Sequence, residues 1–227
     1  MNDDIFGEAF MAYQLNGDDE AIQVSIDGLP QDPLPPSYFF RKYAQMPVLE
    51  KKALELATGE ILDVGAAAGC HSIALQDMQK SVTALEISNK AADVCRLRGV
   101  KQVIASDFFL FNEKKFDTIL LLMNGLGMGQ TVEGTKKLIA HAASLLNEGG
   151  CILGDTSDIT YFGEPDDNSS YFGEVFFELE WKAMQSEFEW IYPDPTLLQT
   201  ICEELNLGFE IAARGKHNDY LVKIAQR

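Results

Sequence analysis

The stretch EILDVGAAAGCHSIAL, residues 60–75, decides the reading of this chain, because it runs from a buried strand through a glycine-bearing turn into the first turns of a helix. Ile61, Leu62 and Val64 supply the aliphatic and β-branched residues of a strand covered on both faces. Gly65 and Gly69 let the backbone turn tightly and approach a ligand, and Ala66, Ala67 and Ala68 keep side chains out of its way. A nucleotide-like ligand fits against such a turn. Asp63, two residues before the first glycine, narrows the choice. A dinucleotide loop holds a pyrophosphate on helix N–H groups with glycines in the order GxGxxG. The order here is Gly65, Ala67 and Cys70. A fixed carboxylate repels a pyrophosphate and attracts a cationic ligand.

The chain has 227 residues, enough for one α/β domain with a sizeable core and an appended cap. Its 35 acidic against 18 basic residues give a formal net charge of −17, with no run of Lys and Arg to track a phosphate backbone. Nucleic acid and anionic membranes are therefore not expected partners. Cys70, Cys95, Cys151 and Cys202 are widely spaced, form no CxxC pair, and read as small buried groups in a reducing compartment. The N-terminus shows no basic region followed by an apolar run, and no apolar span is long enough to cross a bilayer. These features predict a soluble, cytoplasmic protein. His71, His141 and His217 lie far apart and in no ligand spacing, so no metal is expected. His71 falls in the helix that follows the glycine turn and is a pocket candidate only.

Residues 1–36 are acidic and end in QDPLPPS, where Pro33, Pro35 and Pro36 suggest an extended connector. Tyr38, Phe39, Phe40 and Tyr43 then crowd around Arg41, a hydrophobic patch suited to docking a helix on the sheet. Pro47 opens that helix, and Thr58 and Gly59 end it. Beyond the glycine turn, the strand SVTALEIS stops at Glu86, at the C-terminal end of a strand beside the first, where open α/β sheets bind ligands. A carboxylate there can accept both hydroxyls of a ribose. Ser88 suits the N-cap of the next helix, and Gly99 its stop.

The strand KQVIAS is followed at once by Asp107 and Phe108. The apolar run FDTILLLMN reads as a central parallel strand and ends in Asn124, Gly125, Gly127 and Gly129. A helix over residues 131–146 leads through Gly149 and Gly150 to the strand CILGD. Residues 155–173 are polar and loop-like, and GEVFFELEWK and EFEWIY form a hairpin. The chain closes with a helix near residues 195–206 and the strands GFEIAAR and YLVKIAQ. The turn GKHND between them is too short for a crossover helix, so that pair must be antiparallel.

On these residues the chain resembles the class I S-adenosylmethionine-dependent methyltransferases, whose first motif, [D/E]xGxGxG, aligns with Asp63, Gly65, Ala67 and Gly69. LLNEGGCILGD matches the family's helix, turn and fifth strand. The resemblance covers residues 59–227 apart from an insert at about 156–193. It implies an α/β, Rossmann-like seven-stranded sheet with the last strand antiparallel, preceded by an N-terminal extension and helical cap over residues 1–58 and carrying a hairpin insert after strand five. It further implies S-adenosylmethionine as cofactor, bound by Asp63, Gly65, Ala66, Ala67, Gly69, Glu86, Ile87, Asp107, Phe108 and Asn124. Glu86 would take the ribose, Asp107 the adenine amino group, and Phe108 would pack on the ring.

The expected activity is methyl transfer to a small-molecule acceptor. Candidates for the acceptor side are Asn124, Tyr43 and Tyr161, with Glu164, Asp166 and Asp167 favouring a positively charged acceptor. A catalytic residue is not legible, because the sulfonium leaves readily and the protein mainly supplies alignment. The same motifs would serve a non-catalytic S-adenosylmethionine-binding protein. A nicotinamide-dependent oxidoreductase fits Asp63 and the terminal antiparallel pair less well.

S-adenosylmethionine or S-adenosylhomocysteine should therefore raise the thermal unfolding midpoint, while NAD and NADP leave it unchanged. A larger shift with NAD than with either adenosyl ligand would overturn the assignment.

Overall fold

A computed structural model of the chain describes residues 3–159 and 171–227. The apolar run that opens the glycine turn forms β3 (Glu60–Val64), buried along nearly its whole length. It belongs to a seven-stranded sheet with β4 (Ser81–Glu86), β5 (Val103–Ala105), β6 (Phe116–Leu121), β7 (Leu146–Ser157), β10 (Leu207–Arg214) and β11 (Asp219–Gln226). The order is β10-β11-β7-β6-β3-β4-β5. β3 and β6 are parallel, as are β6 and β7 and β4 and β5, whereas β11 runs antiparallel to both β7 and β10. The reversed last strand is the one that the GKHND turn demands.

The chain divides into two compact units. The second comprises Pro47–Val64, Asn112–Val175 and Glu189–Arg227. It holds β3, β6, β7, β10 and β11 with α2 (Val48–Leu56), α5 (Val132–Ser144) and α6 (Pro195–Glu204). Ile61, Leu62, Ile119, Leu120, Leu138, Ile139, Ile152, Leu153, Val222 and Ile224 are its buried aliphatic core. The helices start where capping chemistry permits. The Thr131 side chain accepts from the Gly134 N–H, and Asp194, followed by Pro195, accepts from the Thr196 and Leu197 N–H groups. β7 begins at Leu146, earlier than the expected Cys151, because Leu146 already pairs with Phe116 and an irregularity between Phe116 and Thr118 absorbs the intervening residues.

The first unit comprises Met1–Met46, Gly65–Phe111 and Phe176–Phe188. Residues 1–36, whose fold the sequence left unread, contribute α1 (Ile5–Asn16), β1 (Gln23–Ile26) and β2 (Leu29–Pro30). Asp4 caps α1 by accepting from the Gly7 N–H, and Gly17, at φ 68°, ends it. The proline-rich stretch is not extended throughout. Pro36 opens a 3-10 turn over Pro36–Phe40, where its fixed φ is already suitable. The expected hairpin is β8 (Glu174–Trp181) and β9 (Met184–Ile191), and β1 pairs antiparallel with β8, Gln23 opposite Glu180. A second sheet of order β2-β1-β8-β9 results. Ile5, Ala9, Ile22, Leu179 and Trp181 form its core, and the Trp181 indole N–H donates to the Glu20 carbonyl at 2.9 Å. Cys70, Cys95 and Cys202 are buried as expected, Cys151 is half-buried, and all are free thiols.

The entry into β3 is fixed by β6. The buried Thr118 hydroxyl accepts from the Thr58 N–H at 3.0 Å and donates to the Thr58 carbonyl at 2.9 Å. Beside it, Asp117 Oδ2 accepts from the Glu60 N–H at 2.7 Å. Thr118→Val keeps the shape and strands both Thr58 groups, so it should cost about 1–3 kcal/mol of stability in urea denaturation. An unchanged midpoint would show that water replaces the hydroxyl.

Candidate functional site

In the first unit, residues 65–69 make a tight turn. The Gly65 and Ala66 N–H groups donate to the Leu85 carbonyl at 2.9 and 3.2 Å, and the Gly69 N–H donates to the Ala66 carbonyl at 2.7 Å. Ala67 stands in the left-handed region at φ 51°, a conformation that glycine adopts without cost. Gly69, at φ 80°, precedes α3 (Cys70–Asp77), and a Cβ there would lie 3.0 Å from Val100 Cγ2 and 3.1 Å from Cys95 Sγ. The motif's two outer positions are thus glycine in sequence, and its middle position is glycine-like in backbone.

Glu86 ends β4. Its Oε2 accepts from the Ala67 N–H at 2.8 Å, and its Oε1 accepts from the Ser88 N–H at 2.9 Å. The carboxyl is buried, and desolvation raises its pKa above the ordinary glutamate value, opposed by hydrogen bonds from the Ser88, Ala67 and Ile87 backbone. Ile87, next in sequence, is 69% exposed, an apolar side chain with no core to enter. Glu86 pairs in register with Ala105 of β5, and the Ser106 N–H donates to the Glu86 carbonyl at 3.0 Å. Asp107 and Phe108 therefore leave the sheet beside Glu86 and Ile87. Asp107 Oδ1 accepts from the Phe109 N–H at 2.9 Å and caps the turn Phe108–Leu110, while Phe108 is buried. Gly65, Ala66, Ala67, Gly69, Glu86, Ile87, Asp107 and Phe108 are thereby gathered at the ends of adjacent strands.

The aromatic cluster of this unit docks on α1. Phe39 lies 4.6 Å from Phe10 and 5.7 Å from Phe6 between ring centroids, and Phe40 lies 4.5 Å from Tyr13. Tyr43 opens a 3-10 turn over Tyr43–Gln45 and is half-buried. Arg98, which sequence reasoning passed over, closes α4 (Asn89–Leu97). Its guanidinium donates to the carbonyls of Ala68, Phe39 and Phe40 and stacks 4.3 Å above the Phe40 ring. An arginine between the last apolar turn of a helix and its terminal glycine was the only trace in the sequence.

In the second unit, Asp63 is buried at the penultimate position of β3, opposite Leu120 of β6. Asn124, at φ 58°, begins the turn Gly125–Gly129. Its N–H donates to Asp155 Oδ1 at 2.8 Å, and its Oδ1 accepts from the Ser157 hydroxyl at 3.1 Å, so its side chain helps to fix the turn on β7. A Cβ on Gly127 would fall 1.9 Å from the Trp190 indole nitrogen, so glycine there makes room for a tryptophan from the end of β9. The Val132 N–H donates to Glu174 Oε1 at 2.9 Å. Tyr161, Glu164, Asp166 and Asp167 lie outside the described residues. Among the described residues no group of His, Cys, Asp and Glu has the arrangement of a metal site, and no helix is long and apolar enough to cross a membrane. His71 lies buried in α3.

The family model described as a methyltransferase domain matches residues 62–154. The chain is similar to a SAM-dependent methyltransferase from Bacteroides fragilis, solved in complex with S-adenosyl-L-homocysteine, at 38% identity and TM-score 0.90, covering 97% of this chain and 94% of that one. Fold alone is shared with the sugar N-methyltransferase KedS8 from Streptoalloteichus sp, at 14% identity and TM-score 0.59 over 83% of this chain and 88% of that one. The same holds for the glycopeptide N-methyltransferase MtfA complexed with S-adenosyl-L-homocysteine, at 16% identity and TM-score 0.60 over 81% and 91%. No curated protein matches the sequence.

Because burial raises the Glu86 pKa, the unfolded chain ionises this group first as pH rises from its ordinary value of 4.5. Its contribution to stability is fully present below that pH and is lost as pH rises through the folded-state value. The stability of the wild type relative to Glu86→Gln, from urea denaturation across a pH series, should therefore fall over this window. A flat difference would mean that the carboxyl is not buried in solution.

Proposed function

Since this chain belongs to the S-adenosylmethionine-dependent methyltransferases, we propose that it transfers the methyl group to a small-molecule acceptor and binds the cofactor with the residues around the glycine turn. The hydrogen bond between the Ala67 N–H and the Glu86 carboxylate carries the site assignment, because it sets an acid against a loop of small side chains beside the exposed Ile87. These residues suit an adenosyl ligand. Glu86 would accept the ribose hydroxyls, Asp107 the adenine amino group, and Ile87 and Phe108 would flank the base, while residues 65–69 offer backbone alone. Asp63 would favour the positive end of the cofactor.

When bound, the cofactor would supply an electrophilic methyl carbon on a sulfonium, the electron pair of the broken C–S bond remaining on sulfur. What falls to the chain is alignment, exclusion of water and, where the nucleophile carries a proton, its removal. Asn124 is an amide and positions rather than deprotonates. With one Oδ1 lone pair taken by the Ser157 hydroxyl, it can still offer the methyl acceptor its Nδ2 donors and the second lone pair. Tyr43 and Tyr161 are further candidates for the acceptor side. Support for a small acceptor comes from the sugar and glycopeptide N-methyltransferases among the structural neighbours and from the strongly acidic composition, which suits a cationic molecule better than a nucleic acid.

Glu86→Ala and Asp107→Ala should each weaken S-adenosylhomocysteine binding in calorimetry by about 1–3 kcal/mol while the protein stays folded. Unchanged affinity in both would place the adenosine elsewhere. Formation of S-adenosylhomocysteine, followed over a panel of amino sugars, other small amines and peptides, tests the acceptor class. Turnover confined to peptides would overturn the small-molecule reading. With an acceptor found, Tyr43, Asn124 and Tyr161 substitutions should lower acceptor affinity or turnover more than cofactor affinity, and three normal variants would refute that placement.

A further inference from the structure

We propose that Arg98 is a positioning residue that couples the conformation of the glycine turn to the seating of the segment around Phe39 and Phe40, so that cofactor binding and the order of that segment reinforce each other. The inference rests on the assignment of residues 65–69 as the cofactor loop.

The Ala68 carbonyl and the Gly69 N–H belong to one planar peptide unit, so fixing one end fixes the direction of the other. Arg98 Nη1 holds the oxygen end, and the nitrogen end closes the turn by donating to the Ala66 carbonyl at 2.7 Å. Gly69 has the conformational freedom at φ 80° to let this peptide rotate, so the guanidinium rather than glycine sterics selects its orientation. The same guanidinium donates to the Phe39 carbonyl at 3.4 Å and to the Phe40 carbonyl at 3.3 Å and covers the Phe40 ring. A planar, permanently charged fork holds its donors in fixed directions and stacks on an aromatic face, whereas an ammonium has three rotatable donors and no planar face. Loop and segment therefore share one donor.

The other end of α4 repeats the connection. The Ser88 N–H donates to Glu86 Oε1, and the Ser88 hydroxyl donates to Asp4 Oδ2 at 2.7 Å, where Asp4 is the N-cap of α1. A Lys90–Glu8 ion pair joins the same two helices one turn further along α1. Both ends of α4 thus join a part of the proposed cofactor site to the N-terminal residues. Coupling through a shared donor is reciprocal, since whatever orders the loop favours the seated segment and whatever seats the segment favours the ordered loop.

Trypsin supplies a direct readout, because Arg41 and the exposed Lys42 follow Phe40 immediately. Limited digestion of the full chain, with cleavage after residues 41 and 42 followed by mass spectrometry, should be slowed by S-adenosylhomocysteine in the wild type. In Arg98→Ala the ligand should bind roughly tenfold or more weakly in calorimetry, and a saturating concentration should no longer slow cleavage at these bonds. Arg98→Lys, which keeps the charge without the fork, should fall between the two in both measurements, and it carries the test if the alanine variant does not fold. A purely structural arginine would lower stability and leave saturating ligand still protective. Wild-type affinity, or undiminished protection, in either variant overturns the coupling. Failure of the wild type itself to bind S-adenosylhomocysteine would overturn the cofactor assignment instead, and the coupling with it.

Discussion

The hydrogen bond from the Ala67 N–H to the Glu86 carboxylate is the constraint on which the glycine turn depends. An alanine at φ 51° is held in a conformation that costs about 1–2 kcal/mol for a residue with a Cβ. A hydrogen bond contributes about 0.5–1.5 kcal/mol net, and up to about 3 kcal/mol to a charged acceptor, an amount comparable with that cost. The same carboxylate is raised in pKa by burial, so its ionised form is sustained by the backbone donors around it rather than by water. One carboxyl thus clamps the turn and is also the acceptor proposed for the ribose, and the hydrogen bond it takes from the Ala67 N–H is why an alanine in the middle of the motif does not disable the turn. The conformation usually secured by the freedom of glycine is secured here by an acid on the next strand.

Much of the seven-stranded sheet was legible because its signals are local. A continuous apolar run with Asp63 in it and a glycine turn lie together in residues 60–69, and the carboxylate of Glu86 closes the very next strand. The direction of the last strand followed from a loop too short for a crossover. Caps were readable for the same reason: Ser88 accepts from the Ala91 N–H as its residue type suggested. Asp107 shows the limit of such reading. Its capping of Phe109 and its proposed contact with adenine arise from one position at a strand end, and the sequence does not distinguish them.

The second sheet was not legible, and the reason is distance along the chain. β1 satisfies its backbone by pairing Gln23 with Glu180 and Val24 with Leu179, and nothing in the four residues of β1 points to partners that far away. The hairpin could be read from its alternation, but an alternating hairpin does not reveal what adds to its edge. Arg98 was missed on similar grounds. It acts on main-chain carbonyls, and carbonyls leave no mark in the sequence. The proline-rich stretch misled for a different reason, since Pro36 ends an extended segment and starts a turn with the same fixed φ.

The acidic composition bears on encounter more than on chemistry. A net charge of −17 draws a cationic acceptor toward the protein, an effect that salt screens within about 10 Å at 0.1 M. The same field acts against the reaction if the acceptor is an amine, because nearby negative charge favours the protonated form, which has no lone pair to attack with. Attraction and reactivity then pull in opposite directions, and the proton must be taken locally. An amide such as Asn124 cannot take it. Its N–H is held by Asp155, a carboxylate on β7, so the turn that presents Asn124 is itself fixed by an acid. The overall charge governs how readily a cationic acceptor arrives, not whether it can react once there.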